Sequence, residues 1–271
     1  MSPLRLNLSS RARQLSGGDA IVVSIPKSGR TWVRAFLCAY FCKREGIPFS
    51  LEPEKQAPGH IPRIVYSHDL FEQRTKADRW DKVRGKYLIP AAELRRAKII
   101  LLARDPRDAF VSHYLQLVRR SADTPNELKQ KSVSELLRDD AFGIKAIVET
   151  MNQWLLEFSR RKNFLLVSYE RLRSDPATHF RALLGELGES PPNAEAFAQA
   201  LAFSDFENMK KLEAAGAFES KILKPGNVTD PESFKVRRGK VGGYREYLTE
   251  DDQRYALDAI KQLDARFGYG A

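Results

Sequence analysis

A short segment between an apolar run and a helical pattern brings together groups that bind anions. The segment follows the apolar residues at 21–25 and reads Pro26-Lys27-Ser28-Gly29-Arg30-Thr31-Trp32. Backbone N–H groups at a helix N-terminus carry partial positive charge, and a glycine lets the main chain come close to an anion. Because Lys27 and Arg30 add two full positive charges, the segment predicts a phosphate-binding loop.

The order of these residues differs from that in the loop that binds nucleoside triphosphates. That loop reads Gly-x-x-x-x-Gly-Lys-Ser/Thr, and its hydroxyl group holds a magnesium ion. Here Lys27 precedes Gly29, and the hydroxyl side chains stand at other positions. The order argues against magnesium-dependent hydrolysis of a triphosphate, and taken alone the segment also fits a strand–turn–helix joint with a solvated lysine.

A second cationic group, Arg104, follows the apolar run at 98–103, which is typical of a strand buried on both faces. The next two residues, Asp-Pro, form a strong helix start, so Ser112 lies about two turns into a helix. Ligands of open parallel sheets bind at the carboxyl ends of the strands. Arg104 and Ser112 are therefore predicted anion ligands, and the alternative for Arg104 is an ion pair with nearby Asp108.

A third basic segment contains Arg237, Arg238 and Gly239. A basic loop with a glycine can fold over a phosphate, with two guanidinium groups and the glycine N–H as donors. A charge run is also common on a solvated surface, so this segment alone leaves both interpretations open.

His68 is the candidate general base. It follows the apolar run at 62–66, in the sequence Tyr66-Ser67-His68-Asp69. The unperturbed pKa of histidine, about 6.5, lets it accept a proton near neutral pH. Asp69 is the next candidate for this role.

Together these segments resemble the cytosolic-type sulfotransferases, which use 3′-phosphoadenosine 5′-phosphosulfate (PAPS) as donor. The first segment resembles the 5′-phosphosulfate loop of that family. Arg104 and Ser112 match the residues that hold the 3′-phosphate in its pattern Arg-Asn/Asp-Pro-x-Asp-x-x-Val-Ser, and residues 237–239 keep the basic-basic-Gly core of its third pattern. The three segments occur in the linear order of the family.

The resemblance also implies roles for single residues. Tyr169 matches a tyrosine that contacts the cofactor, and Phe206 would pack against adenine opposite Trp32. His68 matches the base of the family's Lys-Thr-His, but Tyr66 stands in place of the lysine. Another residue must then supply the positive charge that this lysine normally adds beside the transferring group.

The implied reaction moves a sulfuryl group from PAPS to an acceptor hydroxyl, or to an amine, by in-line attack. His68 would deprotonate the acceptor, Lys27 would stabilise charge on the leaving oxygen, and Ser112 would position the lysine. The product of the donor would be 3′,5′-bisphosphoadenosine (PAP), and no metal is expected. The acceptor would be a small molecule, a glycan or a lipid headgroup, and not a nucleic acid.

Two other classes of function remain. A nucleotide kinase-like phosphotransferase would share the fold class, but it should show the Gly-Lys-Ser/Thr order and an acid for magnesium where Arg104 stands. A basic nucleic-acid-binding protein would explain the formal charge of +10. It would not explain why the three basic segments fall near strand ends.

The elements that must position these groups alternate along the chain. Helical patterns follow near 31–44, 107–120, 144–161, 174–187, 194–202 and 250–266, and a fourth apolar run spans 164–168. This alternation predicts an α/β fold with a central, mostly parallel sheet flanked by helices. The resemblance to the sulfotransferases implies that this fold is similar to that of P-loop NTPases. With no linker dividing it, the chain is predicted to be a single domain over 1–271, with residues 1–18 a poorly ordered N-terminal extension.

The composition favours a reducing compartment. Cys38 and Cys42 lie one helical turn apart in an apolar stripe, which is typical of buried thiols. Residues 1–18 contain arginines but no apolar core, so they do not read as a signal peptide, and no run reaches transmembrane length. We expect a cytoplasmic location. The sequence does not indicate an oligomeric state.

Overall fold

The computed structural model describes residues 14–76, 89–121, 124–217, 234 and 239–270. Its sheet contains strands β1 (Ala20–Val23), β2 (Ile64–Ser67), β3 (Lys98–Ala103) and β4 (Phe164–Ser168), in the order β2-β1-β3-β4. All neighbouring strands are parallel, which confirms the predicted fold class. Val23 is in register with Ser67, so β1 and β2 end at the same edge of the sheet.

The described helices, in chain order, are α1 (Arg30–Arg44), α2 (Asp69–Lys76), α3 (Ala91–Arg96), α4 (Pro106–Leu115), α5 (Asn126–Gln130), α6 (Val133–Leu137), α7 (Ile144–Phe158), α8 (Tyr169–Ser174), α9 (Pro176–Glu186), α10 (Ala194–Phe203), α11 (Phe206–Ala214) and α12 (Glu250–Ile260). Helix α4 continues as one turn of π-helix over Gln116–Arg120. Short 3₁₀ turns occur at Pro53–Lys55, Gly243–Glu246 and Ala265–Phe267.

The predicted start of α4 is confirmed, because the Asp105 side chain accepts a hydrogen bond from the Arg107 N–H and Pro106 is the first helical residue. The helix predicted near 174–187 is present as α9, which begins two residues later than expected, at Pro176. Helix α8 ends at Ser174, and Asp175 caps a new helix by accepting from the Thr178 N–H.

The strands separate two hydrophobic cores because successive side chains point to opposite faces of the sheet. One face carries Ile21 and Val23 into the core formed with α4, α7 and α12. The other face carries Val22 into the core formed with α1, α9 and α10. The sheet is therefore covered on both faces, and its open carboxyl edge is left for ligands.

Residues 14–18 belong to the folded part of the chain, although the N-terminal extension was expected to reach residue 18. Leu15 is buried in the core, and Arg63 Nη1 donates to the Ser16 carbonyl at 2.7 Å. Both cysteines are buried and carry free thiols, as expected, and burial raises the pKa of Cys38 to about 12. In the described parts of the chain, no helix is long and apolar enough to cross a bilayer.

Candidate functional site

A cleft at the carboxyl edge of the sheet collects most of the residues that the sequence singled out. Its walls include Lys27, Gly29, Arg30, Thr31, Trp32, His68, Arg104, Ser112, Tyr169, Phe206 and Gly239. Ser28 is not on the wall, because it is fully buried, and its hydroxyl has no hydrogen-bond partner among the described residues. Arg237 and Arg238 lie outside the described residues.

The loop after β1 requires a glycine where α1 begins. Gly29 has a φ of 88°, which is left-handed, and a β-carbon built on it would lie 2.6 Å from Cδ2 of Tyr169. The Tyr169 ring therefore packs directly against the loop backbone. Lys27 also has a positive φ, 69°, a conformation that costs free energy for a residue with a side chain. The surrounding contacts must hold the loop in this shape.

Arg104 makes one of those contacts. Its Nη1 donates to the Lys27 carbonyl at 2.9 Å, and its Nη2 lies 3.3 Å from the Lys240 carbonyl. Its guanidinium carbon lies 4.4 Å from the ring centre of Tyr169. Its Nε is buried and has no acceptor among the described residues. Arg104 therefore keeps one buried donor that a bound anion could satisfy.

Asp108 does not form an ion pair with Arg104 among the described contacts. Its carboxylate accepts from the backbone N–H groups of Gly242 and Tyr244, at 2.7 and 2.9 Å. Burial raises the pKa of Asp108, although Arg104 and these two N–H groups act in the opposite direction. Asp108 thus fastens the segment after Gly239 to α4.

Gly239 itself packs against an aromatic ring. Its φ is 57°, and a β-carbon there would lie 2.7 Å from Cε2 of Phe206. Beyond it, the Tyr244 ring lies 4.7 Å from the guanidinium carbon of Arg107. Arg107 is in turn paired with Asp105. The described end of the third basic segment is therefore fixed against α4 and α11.

His68 is oriented by a backbone carbonyl. Its Nδ1 lies 2.7 Å from the carbonyl oxygen of Ser24. Since a carbonyl oxygen only accepts, the proton of the neutral imidazole is on Nδ1 and the lone pair is on Nε2. This tautomer is the one that can take a proton at Nε2.

Asp69, the other candidate base, faces the core. It is fully buried and is not part of the cleft wall. Its carboxylate accepts from the Ile89 N–H at 3.0 Å and lies 3.4 Å from Trp154 Nε1. Asp69 is therefore placed to hold the turn after β2 and not to reach an acceptor.

Tyr66 does not line this cleft. Its ring lies 5.2 Å from the guanidinium carbon of Arg34 and lines a second, separate cavity with Cys38. Burial raises the pKa of Tyr66 strongly. Tyr66 is therefore not part of the cleft wall.

The aromatic end of the cleft is held by Trp32. Its Nε1 donates to the Ser204 carbonyl at 2.8 Å, and its ring meets Tyr169 edge to face at 6.0 Å. Phe206 begins α11 directly after its cap, Asp205. The guanidinium of Arg173 lies over both the Trp32 and the Phe206 rings.

Glu170 joins the ends of β3 and β4 beside the cleft. One oxygen accepts from the Asp105 N–H at 2.9 Å, and the other accepts from Ser168 Oγ at 2.8 Å and Tyr269 Oη at 2.6 Å. The start of α4 is thereby tied to the carboxyl-terminal segment.

Sequence reasoning left several wall residues unassigned, namely Gln116, Arg173, Met209, Lys240, Glu246 and Tyr247. Two of them could have been found from helical spacing, because residues four apart share a helix face. Arg173 lies four residues after Tyr169, and Gln116 lies four after Ser112. The others depend on packing between distant segments. Within the described ranges, no group of three or more His, Cys, Asp or Glu side chains could hold a metal ion.

Comparison with protein families gives a match over most of the chain. The sequence model of the sulfotransferase domain matches residues 18–268. Among curated proteins, sulfotransferase 2B1 of Rattus norvegicus is 26% identical over 92% of this chain and 71% of its own length. Cytosolic sulfotransferase 14 of Arabidopsis thaliana is also 26% identical, over 85% of this chain and 70% of its own. Flavonol 3-sulfotransferase of Flaveria bidentis is 23% identical over 96% and 85%.

Solved structures share the fold. A mouse sulfotransferase complexed with PAP superposes with a TM-score of 0.60 at 18% identity, covering 90% of this chain and 83% of that one. Retinol dehydratase in complex with androsterone and the inactive cofactor PAP gives a TM-score of 0.64 at 20% identity, covering 91% and 81%.

Proposed function

The chain belongs to the sulfotransferase domain family, whose activity is sulfuryl transfer from PAPS, and we propose that it transfers this group to the hydroxyl group of a small molecule. One observation carries the assignment of the site. The loop after β1, the end of β3 with α4, and the described end of the third basic segment all line one cleft. PAPS carries one anionic group at its 5′ position and another at its 3′ position, so a site for it needs cationic and N–H groups from separate segments in one cleft.

The 5′-phosphosulfate is assigned to the N-terminal end of α1. The loop supplies Lys27 and Arg30, and the helix N-terminus adds its own partial positive charge. Thr31 and the Gly29 backbone line the same cleft and are assigned to the same phosphosulfate group. Ser28 belongs to the same loop, and its side chain is buried.

The 3′-phosphate is assigned to Arg104 and Ser112. The buried Nε of Arg104, which has no acceptor among the described residues, supports this assignment because a buried donor without an acceptor is costly. The Gly239 N–H, Arg237 and Arg238 are proposed to complete this subsite. Tyr169 is proposed to contact the nucleotide, and Trp32 and Phe206 to stack on adenine.

His68 is the proposed general base. Its Nε2 takes the proton of the acceptor hydroxyl while that oxygen forms a bond to sulfur. The bond between sulfur and the bridging phosphate oxygen breaks, and the electron pair leaves with PAP. Lys27 stabilises the negative charge on this oxygen, and Ser112 positions Lys27. The three side chains line the same cleft, which supports the assignment.

Arg30 is proposed to supply the charge that the family lysine would add. Tyr66, which replaces that lysine, faces the second cavity, whereas Arg30 lines the cleft with Lys27 and His68. A guanidinium can contact two oxygens of a sulfuryl group at once, so it suits this role.

The acceptor is proposed to be a small hydroxyl compound. The relatives include a flavonol sulfotransferase and a 3-beta-hydroxysteroid sulfotransferase of Cavia porcellus, which is 25% identical over 85% of this chain. Glycans, lipid headgroups and amines are the other acceptors to test. A cytoplasmic location is also proposed, which cell fractionation would check.

The experiment is PAPS-dependent sulfation of a panel of hydroxysteroids, flavonols, sugars, lipid headgroups and amines, read by mass spectrometry. We expect at least one hydroxyl compound to gain a sulfuryl group only when PAPS and intact protein are both present. PAPS that stays unconsumed with every acceptor, although the protein binds PAP, would contradict the proposed acceptor class. A protein that binds neither PAPS nor PAP would contradict the proposed site.

A further inference from the structure

Arg173 contacts the two aromatic rings proposed to hold adenine. It lies in α8, four residues after Tyr169, and is one of the residues that line the cleft. Its guanidinium carbon lies 5.1 Å from the ring centre of Phe206 and 5.8 Å from that of Trp32. One planar cation therefore covers faces of both rings.

Two other arginines that lie over aromatic rings in this region, Arg104 and Arg107, also have polar partners. Arg104 donates to two backbone carbonyls, and Arg107 forms an ion pair with Asp105. Arg173 has neither a hydrogen bond nor an ion pair with any of the residues described. Among the residues that the structure describes, the guanidinium contacts the Trp32 and Phe206 rings, and such contacts are weak enough to exchange for a ligand.

A purine base and a guanidinium group use an aromatic ring in the same way. Both are flat and stack on its face. If adenine lies between Trp32 and Phe206, it must cover ring surface that Arg173 covers in the structure. The two groups therefore compete for one place.

We propose that Arg173 is a placeholder for the nucleotide base. Its guanidinium covers the faces of Trp32 and Phe206 while no base is bound, and it is displaced when the base enters. Arg173 thereby sets how much the base adds to nucleotide affinity. This inference rests on the proposed function, because it takes the cleft to be a PAPS site.

The competition predicts a selective effect of removing the side chain. Arg173→Ala uncovers the faces of the Trp32 and Phe206 rings, so the affinity for a nucleotide that carries a base increases. The same change also removes a positive charge, which weakens binding of any anion. A ligand with the same phosphates but no base separates the two effects.

The control variant is Arg171→Ala. Arg171 lies on the same helix, its side chain is exposed, and it makes no ring contact among the described residues. This variant removes one positive charge from the same helix and leaves the Trp32 and Phe206 rings covered by Arg173.

The test is calorimetric titration of wild-type, Arg173→Ala and Arg171→Ala protein with PAP and with ribose 3,5-bisphosphate. The quantity compared is the Kd of ribose 3,5-bisphosphate divided by the Kd of PAP. We expect Arg173→Ala to raise this ratio about two- to fivefold, the size of an exposed cation–π contact, and Arg171→Ala to leave it unchanged.

A ratio that is unchanged or lower in Arg173→Ala would overturn the placeholder, and a lower one would make Arg173 a direct base contact. A rise of equal size in both variants would assign the effect to charge alone and would also overturn it. Wild-type protein that binds no PAP would instead contradict the proposed function, so the two failures are distinguishable.

Discussion

Arg104 at the end of β3 donates a hydrogen bond to the backbone carbonyl of Lys27 in the loop after β1, at 2.9 Å. The residue assigned to the 3′-phosphate thus holds the residue assigned to the leaving group. Lys27 has a positive φ, and this contact helps to keep it in that conformation. The groups proposed to bind the two ends of the donor are therefore joined by one hydrogen bond.

Lys27→Ala should lower the turnover number more than it weakens nucleotide binding. In its proposed role Lys27 acts on charge that develops as the donor bond breaks, whereas several other proposed ligands would still bind the nucleotide. We expect kcat to fall by about 10²- to 10³-fold, which is the usual effect of removing one hydrogen-bond donor to a negative charge that develops in the transition state. Steady-state kinetics and PAP titration measure the two effects, with the exposed Lys162→Ala as the control. A loss of PAP affinity with kcat unchanged would instead place Lys27 in binding alone.

His68→Ala should abolish transfer and leave PAP affinity nearly intact, because the proposed base would touch the acceptor and not the nucleotide. Loss of a general base lowers rates by about 10²- to 10⁴-fold. The control is His179→Ala on α9, since His179 does not line the cleft. Near-normal turnover in a folded His68→Ala protein would mean that another group is the base.

Gly29→Ala should weaken nucleotide binding beyond the cost of the backbone conformation. Gly46→Ala is the matched control, since Gly46 has a φ of 66° and nothing within 4 Å of an added β-carbon. A left-handed residue with a side chain costs about 1–3 kcal/mol, so both variants should lose that much free energy of unfolding. Only Gly29→Ala should also move the Tyr169 ring and weaken PAP binding. Equal PAP affinity in the two variants would contradict the proposed loop.

Asp108→Asn should change the pH dependence of stability. Burial raises the pKa of Asp108 in the folded protein, so the folded state binds its proton at a higher pH than the unfolded state. The free energy of unfolding of the wild-type protein, minus that of Asp108→Asn, should therefore increase as the pH falls. The increase should begin near the raised pKa of Asp108 and end near pH 4, which is about the pKa of an unperturbed aspartate. Urea unfolding at several pH values measures the difference. A difference that does not vary with pH would contradict the raised pKa.

Strand-end positions could be predicted from the sequence, and contacts between distant segments could not. The apolar run at 98–103 indicated a buried strand, so Arg104 could be placed at the carboxyl edge. The same run does not reveal that Asp108 accepts from the N–H groups of Gly242 and Tyr244, because that contact depends on how a distant loop folds back. Local periodicity records which face is buried, but not what packs against it.

The aromatic end of the cleft shows the same limit. A stack involving Trp32 and Phe206 was inferred from family resemblance, but Arg173 was not assigned. Arg173 lies in the short helix α8, which the sequence pattern does not indicate, and its contact with both rings depends on how α8 packs against α1 and α11.

Titration of the protein with PAP and with adenosine monophosphate tests most directly whether the cleft binds a nucleotide through both its 5′ and 3′ phosphates. We predict that PAP binds far more tightly, and that Arg104→Ala removes most of this preference, at about 1.5–3 kcal/mol for a hydrogen bond to a charged group. The exposed Arg95→Ala should keep the preference. Equal affinities of the wild-type protein for the two nucleotides would contradict this mode of binding.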